Sequence, residues 1–142
     1  SKRFVEAITE ARNMTSRLDE FSAIIALNNL RSLDRLLEWK KETYGRYKRA
    51  FNMFEFQGGD GNHQVIGMLL ESKEQRERLL KVLQDEIEFK AYYEPVHRKY
   101  QARVRLELPI TEDVANRIVC LPSWFGVDRD YIIDRIKEAL RL

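Results

Sequence analysis

Cysteine is all but missing: Cys120 stands alone in 142 residues. That excludes an internal disulfide and a thiolate metal cluster, and it fits a reducing cytoplasm. A charge of one sign is missing too. Lys and Arg number 25 against 23 Asp and Glu, a formal net charge of +2, so bulk electrostatics give no case for nucleic acid. No apolar run approaches the roughly 20 residues of a membrane-spanning helix, and no signal-peptide pattern opens the chain. The expectation is a cytoplasmic protein without membrane contact. Histidine is scarce: His63 and His97 stand far apart, without a carboxylate or cysteine at metal-ligand spacing. "GGDG" (58–61) lacks the Lys and Ser/Thr that complete a phosphate loop, and no serine sits in a nucleophile elbow. The chain therefore carries no self-contained catalytic set.

What is present is a globular composition, 44% hydrophobic and 34% charged, in a chain long enough for one domain with a real core. "SKRFVEAITEARNM" begins directly in helical spacing, with Phe4, Val5, Ile8 and Ala11 on one face, as in a chain cut from a longer one. Ser16, with Asp19 three residues on, is placed to cap a helix. That helix carries Phe21, Ile24, Leu27 and Leu30 as a stripe, with Ala23 and Ala26 on a low-relief face. "RSLD" (31–34) reads as a tight break, and Asp34 restarts a helix through Leu36, Leu37, Tyr44, Tyr47 and Phe51. The spacing allows two antiparallel helices or one long bent helix. "FQGGDGNH" (56–63) is a turn, and "QVIGMLLE" (64–71) a strand buried on both faces. Ser72 and Gln75 form a capping box for a helix with Leu79, Leu80 and Leu83 inside.

"EFKAYYEP" (88–95) alternates like a strand, and "ARVRLELP" (102–109) alternates as a strand or an extended loop. Thr111 reads as the cap of a short helix through Val114 and Ile118, "CLPSWFGVD" (120–128) as a loop, and Asp128 as the cap of a last helix with Ile132, Ile133, Ile136 and Leu140 inside. The order gives an α+β layered domain, residues 52–142, with helices on one side of the sheet. Residues 1–51 are an all-helical segment only loosely tied to it.

Three stretches carry candidate chemistry. "YYEPVHRKY" (92–100) gathers three tyrosines, a histidine and two cations around a proline. Arg98 offers a planar fork for a phosphate and the tyrosines a stacking surface for a sugar; the alternative is a strand end with side chains reaching out to water. "NMTSR" (13–17) places Thr15, Ser16 and Arg17 before a helix N-terminus, which suits an anion or plain capping. "WKKETYGRYKR" (39–49) is a basic face with interleaved aromatics, either solvated or a nucleic-acid stripe; Glu38 and Glu42 interrupt it.

At "TSRLDEFSAIIALNNLRSLD" (15–34) the chain resembles the DegT/StrS-type sugar aminotransferases, pyridoxal-phosphate enzymes of aminotransferase fold type I. Their pattern is roughly N-x-R-[ML]-[ST]-E-x-Q-A-A-x-x-x-x-Q-L, then a Leu-Asp pair and a basic helix. Arg17, Leu18, Glu20, Ala23, Leu30 and Leu33-Asp34 match it. "FKAYYEPVHRKY" (89–100) is similar to the family's Y-Y-x-P-x-H stretch through Tyr93, Pro95 and His97. "LPITEDVANRIVCLPSWFGVDRDYIIDRIKEAL" (108–140) is similar to the family's closing run.

The resemblance implies the C-terminal part of such an enzyme. That part is the small domain, a two- to four-stranded mostly antiparallel sheet packed with helices, preceded by a long helical segment at a homodimer interface. The lysine that carries pyridoxal phosphate would lie in an N-terminal domain, and none of Lys73, Lys81 and Lys90 is nominated in its place. Thr15 and Arg17 would reach the cofactor phosphate, with Thr15 at the usual Asn position and Asn13 at the usual Gly. Tyr93, His97 and Arg98 would face a nucleotide-linked keto-sugar, whose amination serves cell-surface polysaccharide. The rival expectations are a stand-alone protein-interaction module descended from that domain and, more remotely, a small RNA-binding domain using the basic aromatic helix.

Overall fold

The structure, a computed structural model, describes residues 6, 19–89, 94–99 and 107–142. The chain divides into two compact units, Ser1–Arg35 and Leu36–Leu142.

In the first unit helix α1 spans Glu20–Arg31. Asp19 is its N-cap: its carboxylate accepts from the Ser22 N–H at 2.9 Å and from the Ser22 hydroxyl at 2.6 Å. Ser16, the expected cap, lies outside the described residues. No residue of α1 is buried. Phe21 is 81% exposed and Ile24 65%. With Ile25, Leu27 and Leu30, also exposed, these side chains spread around more than half of the helix at 3.6 residues per turn. The expected narrow stripe is therefore a broad apolar surface. Ser32 ends the helix; its hydroxyl donates to the Asn28 and Asn29 carbonyls at 3.2 Å. Helix α2, Leu33–Ala50, follows at once, so the break read at "RSLD" is one residue wide.

The second unit is built on a sheet of order β1-β2-β3, with β1 at Glu55–Phe56, β2 at Ile66–Leu69 and β3 at Ile118–Leu121. Both pairings are antiparallel, and Gly67 faces Cys120 while Met68 faces Val119. Alternation sends Ile66, Met68, Val119 and Leu121 to one face, where they are buried with Tyr47 of α2 and with Phe51 just after that helix. Leu79 and Leu83 from α3 (Lys73–Leu83) join them, as do Ile132, Ile136 and Leu140 from α6 (Arg129–Leu140). With α4 (Val96–Lys99) and α5 (Pro109–Arg117) the described residues form six helices and a three-stranded antiparallel sheet, an α+β fold within the expected range.

Local chemistry explains most boundaries. Ser72 caps α3, its hydroxyl accepting from the Gln75 N–H at 3.1 Å, while Gln75 accepts from the Glu71 N–H at 2.9 Å. Asp128 caps α6 through the Tyr131 N–H at 3.0 Å. The glycine-rich turn holds Gly59 at φ +105°, a conformation that favours a residue without Cβ. Three readings need correction. Thr111 is not a cap: Pro109 opens α5 and Leu108 precedes it with no side-chain cap bond. The short helix does not run on to Ile118, which switches to extended backbone and begins β3, so "CLPSWFGVD" starts as strand. Glu88 and Phe89 are not strand; the Phe89 N–H turns back to the Ile87 carbonyl at 2.9 Å. The rest of those two alternating stretches lies largely outside the described residues, apart from Glu94, Pro95, Glu107 and Leu108, which are not strand either.

One ion pair ties the turn after α3 to α6. Arg135 donates to both Glu86 oxygens at 2.8 Å and also meets Glu138. The Arg135 hydrogen bond holds the Glu86 carboxyl below its usual value of 4.5. A depressed folded value means that this contribution is full above 4.5 and fades as the pH falls through the lower folded value. Urea midpoints measured down a pH series should therefore drop below the usual glutamate range, with a smaller drop in Glu86→Gln. An identical acid limb in that variant would remove the pair from the account.

Candidate functional site

The expected substrate-side residues converge on an acid that sequence reading missed. Helix α4 starts after buried Pro95 and presents His97 and Arg98. Glu112 stands in the first turn of α5, where Pro109 pre-sets the helix entry. Its Oε1 lies 2.9 Å from His97 Nε2, and its Oε2 accepts from Arg98 Nη2 at 3.3 Å. The His97 side chain is only 6% exposed, Glu112 38% and Arg98 34%. The hydrogen bonds from His97 first, then Arg98, hold the Glu112 carboxyl below its ordinary range. The result is a carboxylate with one partner on each oxygen and an imidazole fixed at one edge. No spacing rule links residues 97 and 112, because they meet across two helix starts. The sequence signal was an acid in the first turn of a proline-opened helix, which on its own reads as a favourable dipole contact.

The same two helices border a trough of about 710 Å³ on the sheet face turned away from the core. Gly67, Leu69 and Ile118 line it from the sheet, Val96 from α4, and Ile110 and Val114 from α5. Gly67 keeps it open: a Cβ there would come within 3.1 Å of Ile118 Cδ1. The volume is in the range of small-ligand sites.

The other candidates are placed as follows. Thr15, Arg17 and Tyr93 lie outside the described residues. His63 stacks on Tyr44 with centroids 4.3 Å apart. The aromatic residues of α2 and two of its cations are engaged inside the fold, while Lys41, Lys48 and Arg49 are exposed. Tyr47 is buried, and burial pushes its phenol up against a smaller opposing pull from Arg129; its hydroxyl donates to the Pro122 carbonyl at 3.0 Å. Trp39 Nε1 donates to the Trp124 carbonyl at 3.2 Å, and its ring lies 5.0 Å from that of Phe125 and 4.0 Å from the Arg129 guanidinium. Lys40 Nζ donates to the Ser123 carbonyl at 3.4 Å, and burial lowers its pKa. Arg46 pairs with Asp130 at 3.3 Å. Bases therefore find no row of free aromatic faces on which to stack.

Among the described residues no group of three His, Cys, Asp or Glu side chains can hold a metal ion, and no helix is long and apolar enough to cross a membrane. A pyridoxal phosphate would need cationic or backbone donors for its phosphate. The described candidate, Arg98, already has its charge answered by Glu112, so the described site does not by itself fit that group.

No curated protein sequence matches the chain. Among solved structures, Helicobacter pylori PseC, an aminotransferase involved in the biosynthesis of pseudoaminic acid, superposes with a TM-score of 0.75 at 18% identity, over 88% of this chain and 38% of that one. A putative sugar aminotransferase from Streptococcus pneumoniae, in its PMP form, superposes with a TM-score of 0.71 at 18% identity, over 81% and 33%. The chain thus spans about a third of the length of these structures and shares their fold over that part. The sequence profile of the DegT/DnrJ/EryC1/StrS aminotransferase family matches residues 1–141, and the chain belongs to that family.

Proposed function

We propose that the chain is the C-terminal part of a pyridoxal-phosphate-dependent aminotransferase that moves an amino group, usually from glutamate, to a nucleotide-linked keto-sugar. In this reading residues 1–51 are connecting and interface helices and residues 52–142 the small domain. The whole enzyme is a cytoplasmic homodimer serving cell-surface polysaccharide synthesis. The observation that carries the reading is the family match along the chain. The bare surface of α1 supports it: a helix of this length is marginal in water by itself, and apolar residues such as Phe21 and Ile24 are left exposed for another body to cover. The cofactor, when bound, supplies the electron sink. This chain's part is contact: Thr15 and Arg17 toward the cofactor phosphate, and Tyr93, His97 and Arg98 toward the substrate.

The test has two arms. The purified chain, mixed with pyridoxal phosphate and fixed with borohydride, should yield no lysine labelled in stoichiometric amount. The longer polypeptide that contains it should convert glutamate to 2-oxoglutarate only when a nucleotide-linked keto-sugar is supplied. A specific adduct on one lysine of the chain itself would overturn the claim that the catalytic amine lies elsewhere. Turnover indifferent to the sugar would overturn the substrate class.

A further inference from the structure

We propose that the trough over Gly67 is a binding site for a small apolar cation, an aryl or alkyl body that ends in an ammonium group.

Shape and charge carry the inference together. The trough holds about 710 Å³, room for a drug-sized molecule. Its walls are bare: Ile110 is 80% exposed and Val96 71%, a concentration of apolar surface that favours an apolar occupant. The polar groups at its rim are of one kind. Glu55 pairs with Leu69, which pairs in turn with Ile118, so strand alternation puts the Glu55 carboxylate on the trough face. Gln57, whose N–H donates to the Gly67 carbonyl at 3.1 Å, lies on the same face. Its Oε1 stands 3.7 Å from where a Cβ of residue 67 would be. Glu94, exposed, closes the rim ahead of α4. Among the described residues that line the trough there is no Lys, Arg or His. The neighbouring guanidiniums are already engaged. Arg98 donates to Glu112, and Arg117 donates to Asp113 and to the Leu70 carbonyl. The Arg117 pKa is raised chiefly by the Asp113 hydrogen bond, with the charge of Glu55 the last contributor. Two carboxylates thus face an apolar floor without an ion pair of their own. Carboxylates only accept, so the complementary end group is a cationic donor. A phosphate or carboxylate ligand meets repulsion and no cation.

The experiment titrates the purified chain near neutral pH with three probes that share one apolar body: phenylbutylammonium, phenylbutanol and phenylbutanoate. Calorimetry gives the affinities, and methyl resonances of Leu69, Ile110 and Val114 locate the binding. The ammonium should bind about tenfold more tightly than the carboxylate, with the alcohol between them, since exposed charge pairs contribute modestly. Glu55→Gln combined with Glu94→Gln should bring the three within about twofold of one another. Gly67→Val, whose Cβ would come within 3.1 Å of Ile118 Cδ1, should weaken all three by about tenfold through filling the floor. Where circular dichroism shows that Gly67→Val does not fold, Val114→Phe fills the trough from the helix side and takes its place. Carboxylate binding as tight as ammonium binding overturns the proposal, as does a preference that survives the double variant. So do probes that leave the trough methyls unmoved, or full affinity in the filled variant. An ammonium affinity that falls as protein concentration rises would assign the trough to a second copy of the chain and overturn the small-cation reading.

Discussion

Phe51→Ala should lower the unfolding free energy by about 3–5 kcal/mol, whereas Phe21→Ala should change it by less than about 0.5 kcal/mol. The two residues are the same amino acid, each read in the sequence as part of an apolar helical face. Phe51 is 0% exposed, inside the cluster of Tyr47, Met68, Leu79 and Ile136. Its truncation loses the transfer free energy of the ring and leaves a cavity that close-packed neighbours cannot fill. Phe21 is 81% exposed, so little apolar area goes back to water when it is cut. Domain stabilities are typically 5–15 kcal/mol, so the first change removes a large share of the total. Urea unfolding followed by far-ultraviolet circular dichroism reads both. Equal losses for the two variants would contradict the burial pattern on which the division into a core and a bare helix depends.

The second large effect concerns association. Ile24→Glu combined with Leu27→Glu should leave the stability of the second unit unchanged, because both positions are exposed and glutamate is a good helix former. In the proposed homodimeric enzyme the same pair should weaken subunit association by a factor of roughly 30 or more. An apolar side chain at the centre of an interface is typically a site whose loss costs about 2 kcal/mol or more, each 1.4 kcal/mol is about tenfold in affinity, and a carboxylate buried without a partner adds its own penalty. Sedimentation velocity across a concentration series gives the constant. An unchanged dimer constant would show that the α1 surface lies outside the interface and would leave its exposure without a partner.

How much of this was written in the sequence depends on the range of the interaction that fixes each element. Ser72 with Gln75 and Asp128 with Tyr131 act within three residues, so residue type alone located both helix starts. The apolar run around Ile66 to Leu69 marked the central strand, which pairs on both edges and buries Ile66 and Met68 in the core. β3 escaped notice because α5 passes into it with no glycine or proline between: Arg117 is helix and Ile118 is already extended. What makes 118–121 a strand is the vacant edge of β2 beside it, a tertiary fact. Thr111 misled for a related reason. Threonine favours the cap position, but Pro109 sets φ two residues earlier and moves the start upstream.

At the candidate site, His97 and Arg98 were legible as an unusual cluster. Glu112 was not, because its role comes from two helix starts meeting in space. The family was legible because it rests on ordered motifs and needs no single contact to be right. The narrow stripe expected on α1 was half legible: the apolar residues are there, but none of them is buried, so no single face is selected.

The grip of α2 on residues 122–124 has a consequence for how this part of the molecule can vary. Tyr47, Lys40 and Trp39 take three successive main-chain carbonyls, those of Pro122, Ser123 and Trp124. Every residue type owns a carbonyl, so the helix fixes much of this path through the main chain, to which the Ser123 hydroxyl adds a bond to the Gln64 carbonyl at 2.9 Å. Trp124, exposed, is held by its carbonyl, while the Phe125 ring packs beside Trp39. Such a stretch can change its outward group at position 124 and still run the same course.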